Sequence, residues 1–419
     1  MNGRRDAIVV GAGIVGICCA RYLQREGFSV TVVTRDPPGE ACSAGNSGGF
    51  GVSLIAPVAT PGILSRVPSL WFDPRKPLAI EVSLLPRLLP WFARFVATST
   101  PARYRAASRA RASLCERVFE ALDPLLQNAG AESLVRSRGM MFIYDSEESL
   151  AAARPVHDVA RAHGVPLEEL DADAVRNREP ALGARARCGV VSPTTRHTTN
   201  PRRLVQMLAA DFRRRGGRVV EAEVRAVEGG ERPQVVLAEE SIAAQRIVVA
   251  AGVWSGSLVR RFGLRVLLAA ERGYHLMAPG DGVRLTAPVT LSDRNVVITP
   301  MEDGIRVTGM AEFARVDSPP NVGRARRMLA QAEDYVPGLD LSGARWWMGP
   351  RPSTPDSLPV IGPCPGAPRV LLAFGHGHMG LAFAAITGRL IASLAVGRPP
   401  EVDLAPFAPA RFTRGIAPA

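Results

Sequence analysis

Residues 7–33 constrain this chain more than any other stretch. An apolar strand, Ala7 to Val10, runs into Gly11-Ala12-Gly13-Ile14-Val15-Gly16. An amphipathic helix from Ile14 to Glu26 follows, ended by Gly27, and then a β-branched strand from Ser29 to Val33. Strand, glycine turn, helix and strand in that order open a dinucleotide-binding domain. Gly11 allows the tight turn, Gly13 lets the backbone approach a pyrophosphate, and Gly16 permits close helix-to-strand packing. The helix start at Ile14 and Val15 then presents free N–H groups to phosphate. A tight turn without a ligand is the plainer alternative. The carboxylate that normally ends the second strand and binds ribose is replaced by Thr34, with Arg35 and Asp36 next. Thr34 or Asp36 could meet the ribose, while a neutral residue before arginine also suits the 2′-phosphate of NADP.

The rest of the chain interleaves two kinds of region. Arg35 to Pro61 is rich in Gly, Ser, Pro and Ala and reads as a long functional loop. Helices are expected over Leu78–Thr98, Ala102–Gln127, Ser146–His163, Asn200–Arg215, Arg324–Tyr335 and Met379–Val396. Strands are expected over Met140–Tyr144, Arg218–Val227, Val235–Ala238, Arg246–Ala250, Val266–Met277, Val289–Ser292, Val296–Pro300, Gly304–Met310 and Val370–Phe374. Asn200 followed by Pro201 is a helix start.

Four further motifs carry chemistry. In Ser43 to Gly49, small residues let a flat ring approach the backbone, and Ser43, Asn46 and Ser47 supply hydrogen bonds. A flexible loop is the alternative. Arg246 to Trp254 is an apolar strand running into Ala250-Ala251-Gly252, the crossover back to a nucleotide-binding sheet. In Trp347 to Gly362, Arg351 lies among Pro350, Pro352, Pro355 and Pro359 and is expected in a rigid turn. A fixed guanidinium there can hold a carboxylate through two parallel hydrogen bonds; a solvated surface arginine is the alternative. In Phe374 to Leu390, a strand ends at Gly375-His376-Gly377-His378 and a helix starts near Met379. Its positive end suits negative charge on a reduced flavin. No carboxylate or cysteine accompanies these histidines, so no metal site is expected.

Composition narrows the alternatives. With 419 residues and 47% hydrophobic content the chain can bury two or three domains. The net charge of +12 comes almost wholly from scattered arginines, Lys76 being the only lysine. No basic stripe with interleaved aromatics argues for nucleic acid, whereas attraction to an anionic membrane fits better. None of the six cysteines forms a CxxC pair, which suits a reducing compartment. No stretch of about 18 uninterrupted apolar residues suggests a transmembrane helix. The expected setting is cytoplasmic, with peripheral attachment to the inner face of the membrane as an option.

Taken together these segments resemble the glycine oxidase and D-amino-acid oxidase family of flavoproteins, and most of all its D-amino-acid dehydrogenase branch. The resemblance also takes in Gly273-Tyr274 and the closing Pro406 to Phe412. It implies an α/β fold: a Rossmann-type FAD-binding domain from discontinuous segments, 1–65, 195–262 and 345–419, and a substrate domain, 66–194 and 263–344, with a mixed, largely antiparallel sheet and helices. FAD would be held by Gly11, Gly13, Ile14, Val15 and Gly16 at the pyrophosphate, and by Thr34 and Arg35 at ribose and adenine. Val224, in the strand Val219 to Val227, would meet adenine through its backbone. Ser43, Asn46, Ser47, Gly48 and Gly49 would lie by the isoalloxazine, with Ala251, Gly252 and Trp254 in the crossover. Gly375, Gly377, His378, Met379, Gly380 and Leu381 would hold the pyrimidine end. Arg351 would bind a substrate carboxylate, Tyr274 would line the pocket and His376 would touch flavin or substrate. The implied reaction takes hydride from the α-carbon of a small amino acid, D-proline or D-hydroxyproline among them, to flavin N5. The imine hydrolyses to a 2-oxo acid, and electrons pass to a quinone or other carrier; an oxygen-using glycine or sarcosine oxidase is the runner-up. The flavin-type C-terminal motif argues against an NADP reductase.

Overall fold

The computed structural model describes residues 5–63, 77–280 and 282–413. Arg4, Lys76 and the expected domain junction at 65/66 lie outside the described residues.

The glycine turn sits at the heart of a six-stranded sheet. Its order is Arg218–Glu221, Ser29–Thr34, Asp6–Val10, Arg246–Val249, Ala367–Phe374, Val360–Cys364. The first five strands run parallel and the last antiparallel. Parallel strands must be covered on both faces, and their apolar runs reflect that. The helices Ile14–Arg25 and Gly380–Ala395 share one core beneath one face. They touch backbone to backbone: a Cβ on Gly388 would stand 2.6 Å from the Cys18 carbonyl oxygen. The segment Gly377–Ala395 is long and apolar enough to cross a membrane, but it is mostly buried inside this protein. Its apolarity serves a helix enclosed on nearly all sides.

The second sheet has nine strands and is mixed. Its order is Arg345–Ser353, Ala269–Ala278, Gly304–Phe313, Val296–Met301, Val289–Leu291, Met140–Tyr144, Cys188–Ser192, Glu168–Leu170, with Leu78–Ile80 beside Gly304–Phe313. Only the pairs 289–291 with 140–144 and 304–313 with 78–80 are parallel. A separate apolar core packs on it.

Four local expectations change. Leu78–Thr98 is not one helix: Leu78–Ile80 is a strand and the helix spans Leu85–Thr98. Ala102–Gln127 divides into helices Pro101–Cys115 and Val118–Ala129. The run 218–227 breaks after Glu221, because Ala222 N–H bonds Thr34 while Arg225 N–H bonds Val236 of a three-stranded meander. Val224 therefore lies between strands, not in one. Arg351 stands in the strand Arg345–Ser353 rather than in a turn. That strand is the sheet's edge, where a proline N without hydrogen costs no ladder bond on the open side.

Candidate active site

Both sheets face one cavity of about 1220 Å³. At one end lies the turn before helix Ile14–Arg25. Gly11 has φ +104°, and a Cβ there would stand 2.6 Å from the Ala250 carbonyl oxygen. The helix carries no acidic residue in its first turn and no side-chain cap on Gly13. Its positive end is therefore open to an anion. One donor is taken, contrary to the expectation of a free N–H at Ile14: Ser43 Oγ accepts from Ile14 N–H at 3.1 Å and ties the 43–49 loop to that end.

Of the expected cofactor contacts, Gly11, Gly13, Ile14, Val15, Thr34, Arg35, Ser43, Asn46, Ser47, Gly49 and Val224 line this cavity. So do Ala251, Gly252, Trp254, Gly375, Gly377, His378, Met379, Gly380 and Leu381. Two glycines do not. A Cβ on Gly16 would fall 1.9 Å from the Gly11 carbonyl oxygen, so Gly16 supports the turn from behind. Gly48 lies against the Thr198 carbonyl, and its N–H bonds Asn46 Oδ1 at 2.8 Å.

At the end of the strand Ser29–Thr34, side chains occupy one another. Thr34 Oγ1 donates to the Asp36 carbonyl at 2.8 Å. Arg35 pairs with the Asp36 carboxylate at 2.9 Å and lies 4.5 Å over the Trp254 ring. Arg35 is thus engaged on two sides.

Two arginines hold the loops in place, and sequence reasoning passed over both. Buried Arg111 donates to the carbonyls of Leu54, Ile55 and Ser357. Arg306 Nη1 donates to the carbonyls of Ala44 and Asn46. Burial pushes each guanidinium down to about 10. His376 is buried, lines the cavity and shares a hydrogen bond of 2.9 Å with Thr387 Oγ1. His378 is open to the cavity yet surrounded by protein. Desolvation pushes both imidazoles down to about 3, aided at His378 by Arg111 and Arg351. Both stay neutral near pH 7. Cys42 also lines the cavity, and burial pushes its thiol up to about 11.

The other wall carries Arg351. Its guanidinium lies flat against Gly273, where a Cβ would come 2.1 Å from Nη2. Nη1 donates to Glu271 Oε1 at 3.1 Å and to the Met310 carbonyl at 3.0 Å. Met310 holds a left-handed backbone, φ +67°, as it presents that carbonyl. Nη2 and Nε have no protein partner among the described residues, which leaves a fork edge for a carboxylate. Trp91, Phe92, Phe95 and Phe313 add an apolar wall to the same cavity.

Tyr274 is not on this wall. Strand residues alternate between faces, and Gly273 takes the cavity side. Tyr274 is buried in the second core and donates to Glu312 Oε2 at 2.5 Å, while Asn321 N–H donates to its hydroxyl. Desolvation, with Glu312 adding, pushes the phenol up to about 12. Glu312 also pairs with buried Arg272 at 2.6 Å. Glu271 went unnoticed in the sequence, although a lone acid opening a strand that is otherwise mostly buried was the available signal.

FAD fits what these segments offer: an open helix end for the pyrophosphate, a recess by Val224 and Trp254 for the adenosine, and neutral backbone of 43–49 and 375–381 around the ring. Residues 6–394 match the family model described as FAD dependent oxidoreductase (DAO). A D-amino-acid oxidase of Bradyrhizobium diazoefficiens is 34% identical, with 97% of this chain and 99% of the relative covered. A D-amino acid dehydrogenase of Sinorhizobium medicae is 33% identical over the same shares. The crystal structure of glycine oxidase from Geobacillus kaustophilus superposes with a TM-score of 0.75 at 22% identity, covering 98% of this chain and 99% of that one. The fold, the cavity and the match over nearly the whole length agree: this chain is an enzyme of the DAO family of FAD-dependent oxidoreductases.

Proposed function

We propose that the enzyme oxidises a small D-amino acid at its α-carbon, giving an imine that water hydrolyses to a 2-oxo acid and ammonia. The observation that carries this is Arg351: seated on Gly273, bound on one side only, and open to the cavity on the other. It holds the carboxylate and so selects which face of the α-carbon meets the ring. Bound FAD supplies the two-electron acceptor. The loops anchored by Arg111 and Arg306 keep the walls of the site fixed, so positioning supplies most of the acceleration. The aromatic wall suits an apolar side chain or the ring of a proline-like substrate, which would leave as a cyclic imine.

The sequence relatives named D-amino acid dehydrogenase favour a quinone or other carrier as the final acceptor. The relative named D-amino-acid oxidase favours oxygen as the second reading. A cytoplasmic enzyme lying peripherally on the inner membrane face would reach a quinone, and the net charge of +12 supports that placement.

Anaerobic titration of the yellow protein with D- and L-amino acids, including proline and hydroxyproline, is the test. Bleaching of the flavin by D-forms is expected. A flavin left oxidised by every amino acid of either hand overturns the reading. Oxygen uptake against dye reduction then separates the two acceptors.

A further inference from the structure

The pair Arg351–Glu271 is more than an anchor for one carboxylate. Both side chains line the cavity and both are about four-fifths buried. Arg351 Nη1 reaches Glu271 Oε1 at 3.1 Å, and Ser353 Oγ donates to Oε2 at 2.8 Å. Each carboxylate oxygen therefore holds one protein donor, and a carboxylate accepts about four hydrogen bonds in all. Lone pairs remain on both oxygens beside the open edge of the guanidinium. A positive and a negative group thus stand in contact, at net zero charge, in a half-enclosed wall.

We propose that Glu271 is a specificity-determining residue that receives the substrate's amino group, so that Arg351 and Glu271 together form a receptor for a zwitterion. This rests on the amino-acid reading above. An α-amino acid carries its two charges one carbon apart, and anchors that touch one another match that spacing. The charges alternate around the assembly: guanidinium to carboxylate, ammonium to Glu271. The receptor is neutral and so is the ligand, which keeps the desolvation of each charge compensated. Glu271 also repels a ligand that brings only a carboxylate, which gives discrimination against 2-hydroxy acids and simple acids. After binding, the same carboxylate is placed to accept an ammonium proton: the N–H bond breaks, its electron pair stays on nitrogen, and the proton joins a Glu271 oxygen. That leaves the neutral amine that oxidation requires.

A matched pair of unreactive probes tests this in the holoenzyme, read through the visible spectrum of the bound flavin. 2-Methylalanine is a zwitterion with no α-hydrogen, and 2-methylpropanoate is the same skeleton without the amine. Wild-type protein is expected to bind 2-methylalanine the more tightly. In Glu271→Gln, 2-methylalanine should weaken by about tenfold or more while 2-methylpropanoate holds or tightens. Equal losses for both probes would mean that Glu271 merely seats Arg351, and overturn the inference. So would wild-type protein that binds 2-methylpropanoate as tightly as 2-methylalanine, a result needing no variant. Wild-type flavin blind to both probes overturns the proposed function and this inference together, whereas equal losses overturn this inference alone.

Discussion

The two walls of the cavity are built from different materials. The wall expected to hold the cofactor is largely backbone: turns at 11–16, 43–49 and 375–381. The wall proposed for the substrate is side chain: Arg351, Glu271 and Ser353 facing the cavity, with Arg272, Tyr274 and Glu312 bracing the sheet from behind. The backbone wall is tightest at Gly11, Gly16 and Gly48, where an added Cβ would meet a carbonyl oxygen; the side-chain wall depends on its partners. The first kind should fail as a unit when altered. The second should fail one function at a time.

The largest effect is expected where backbone meets backbone. Gly16→Val places a branched side chain where even a Cβ would be 1.9 Å from the Gly11 carbonyl oxygen. It should cost about 4 kcal/mol or more and yield colourless or insoluble protein; absorbance at the flavin bands checks it. Arg351→Ala should leave the FAD content intact and raise the substrate dissociation constant about 100-fold, roughly 3 kcal/mol for a lost charged pair. Loss of flavin in that variant would break the contrast between the walls. Gly273→Ala should push the guanidinium off its seat and raise KM about tenfold, again with full flavin. Tyr274→Phe should be the mildest. It removes a buried hydroxyl from Glu312 and Asn321 and should cost about 1–2 kcal/mol in thermal unfolding with KM unchanged. A raised KM there would return Tyr274 to the substrate wall.

The same contrast explains what could be read from the sequence. Backbone sites need glycines at fixed spacing, so 11–16, 43–49 and 375–381 announce themselves in one dimension. Side-chain sites need partners brought together by pairing of distant strands. Nothing in the neighbourhood of Arg351 says that Glu271, 80 residues earlier, will meet it. The family resemblance puts Tyr274 in the pocket, but alternation along the strand sends Gly273 and Tyr274 to opposite faces. Prolines around Arg351 suggested a turn, because position at a sheet edge is a property of the assembled fold. The expected strand Arg218–Val227 holds Val224, yet the backbone leaves one sheet for another at that point. The apolar run at 78–98 suits strand or helix, and pairing with Gly304–Phe313 decided it.

The contact between Gly388 and Cys18 has a consequence for how the protein is made. Strands from 246–249 and 367–374 and the helix Gly380–Ala395 must all arrive before the opening motif is enclosed. At about 5–20 residues per second, the ribosome needs on the order of tens of seconds to deliver them. The helices Val118–Ala129 and Pro201–Arg214 reach Ile14–Arg25 earlier, but the surface that Gly380–Ala395 covers stays unpartnered on the nascent polypeptide until the end. A product released before residue 380 is therefore prey for chaperones and proteases, not a smaller flavoprotein.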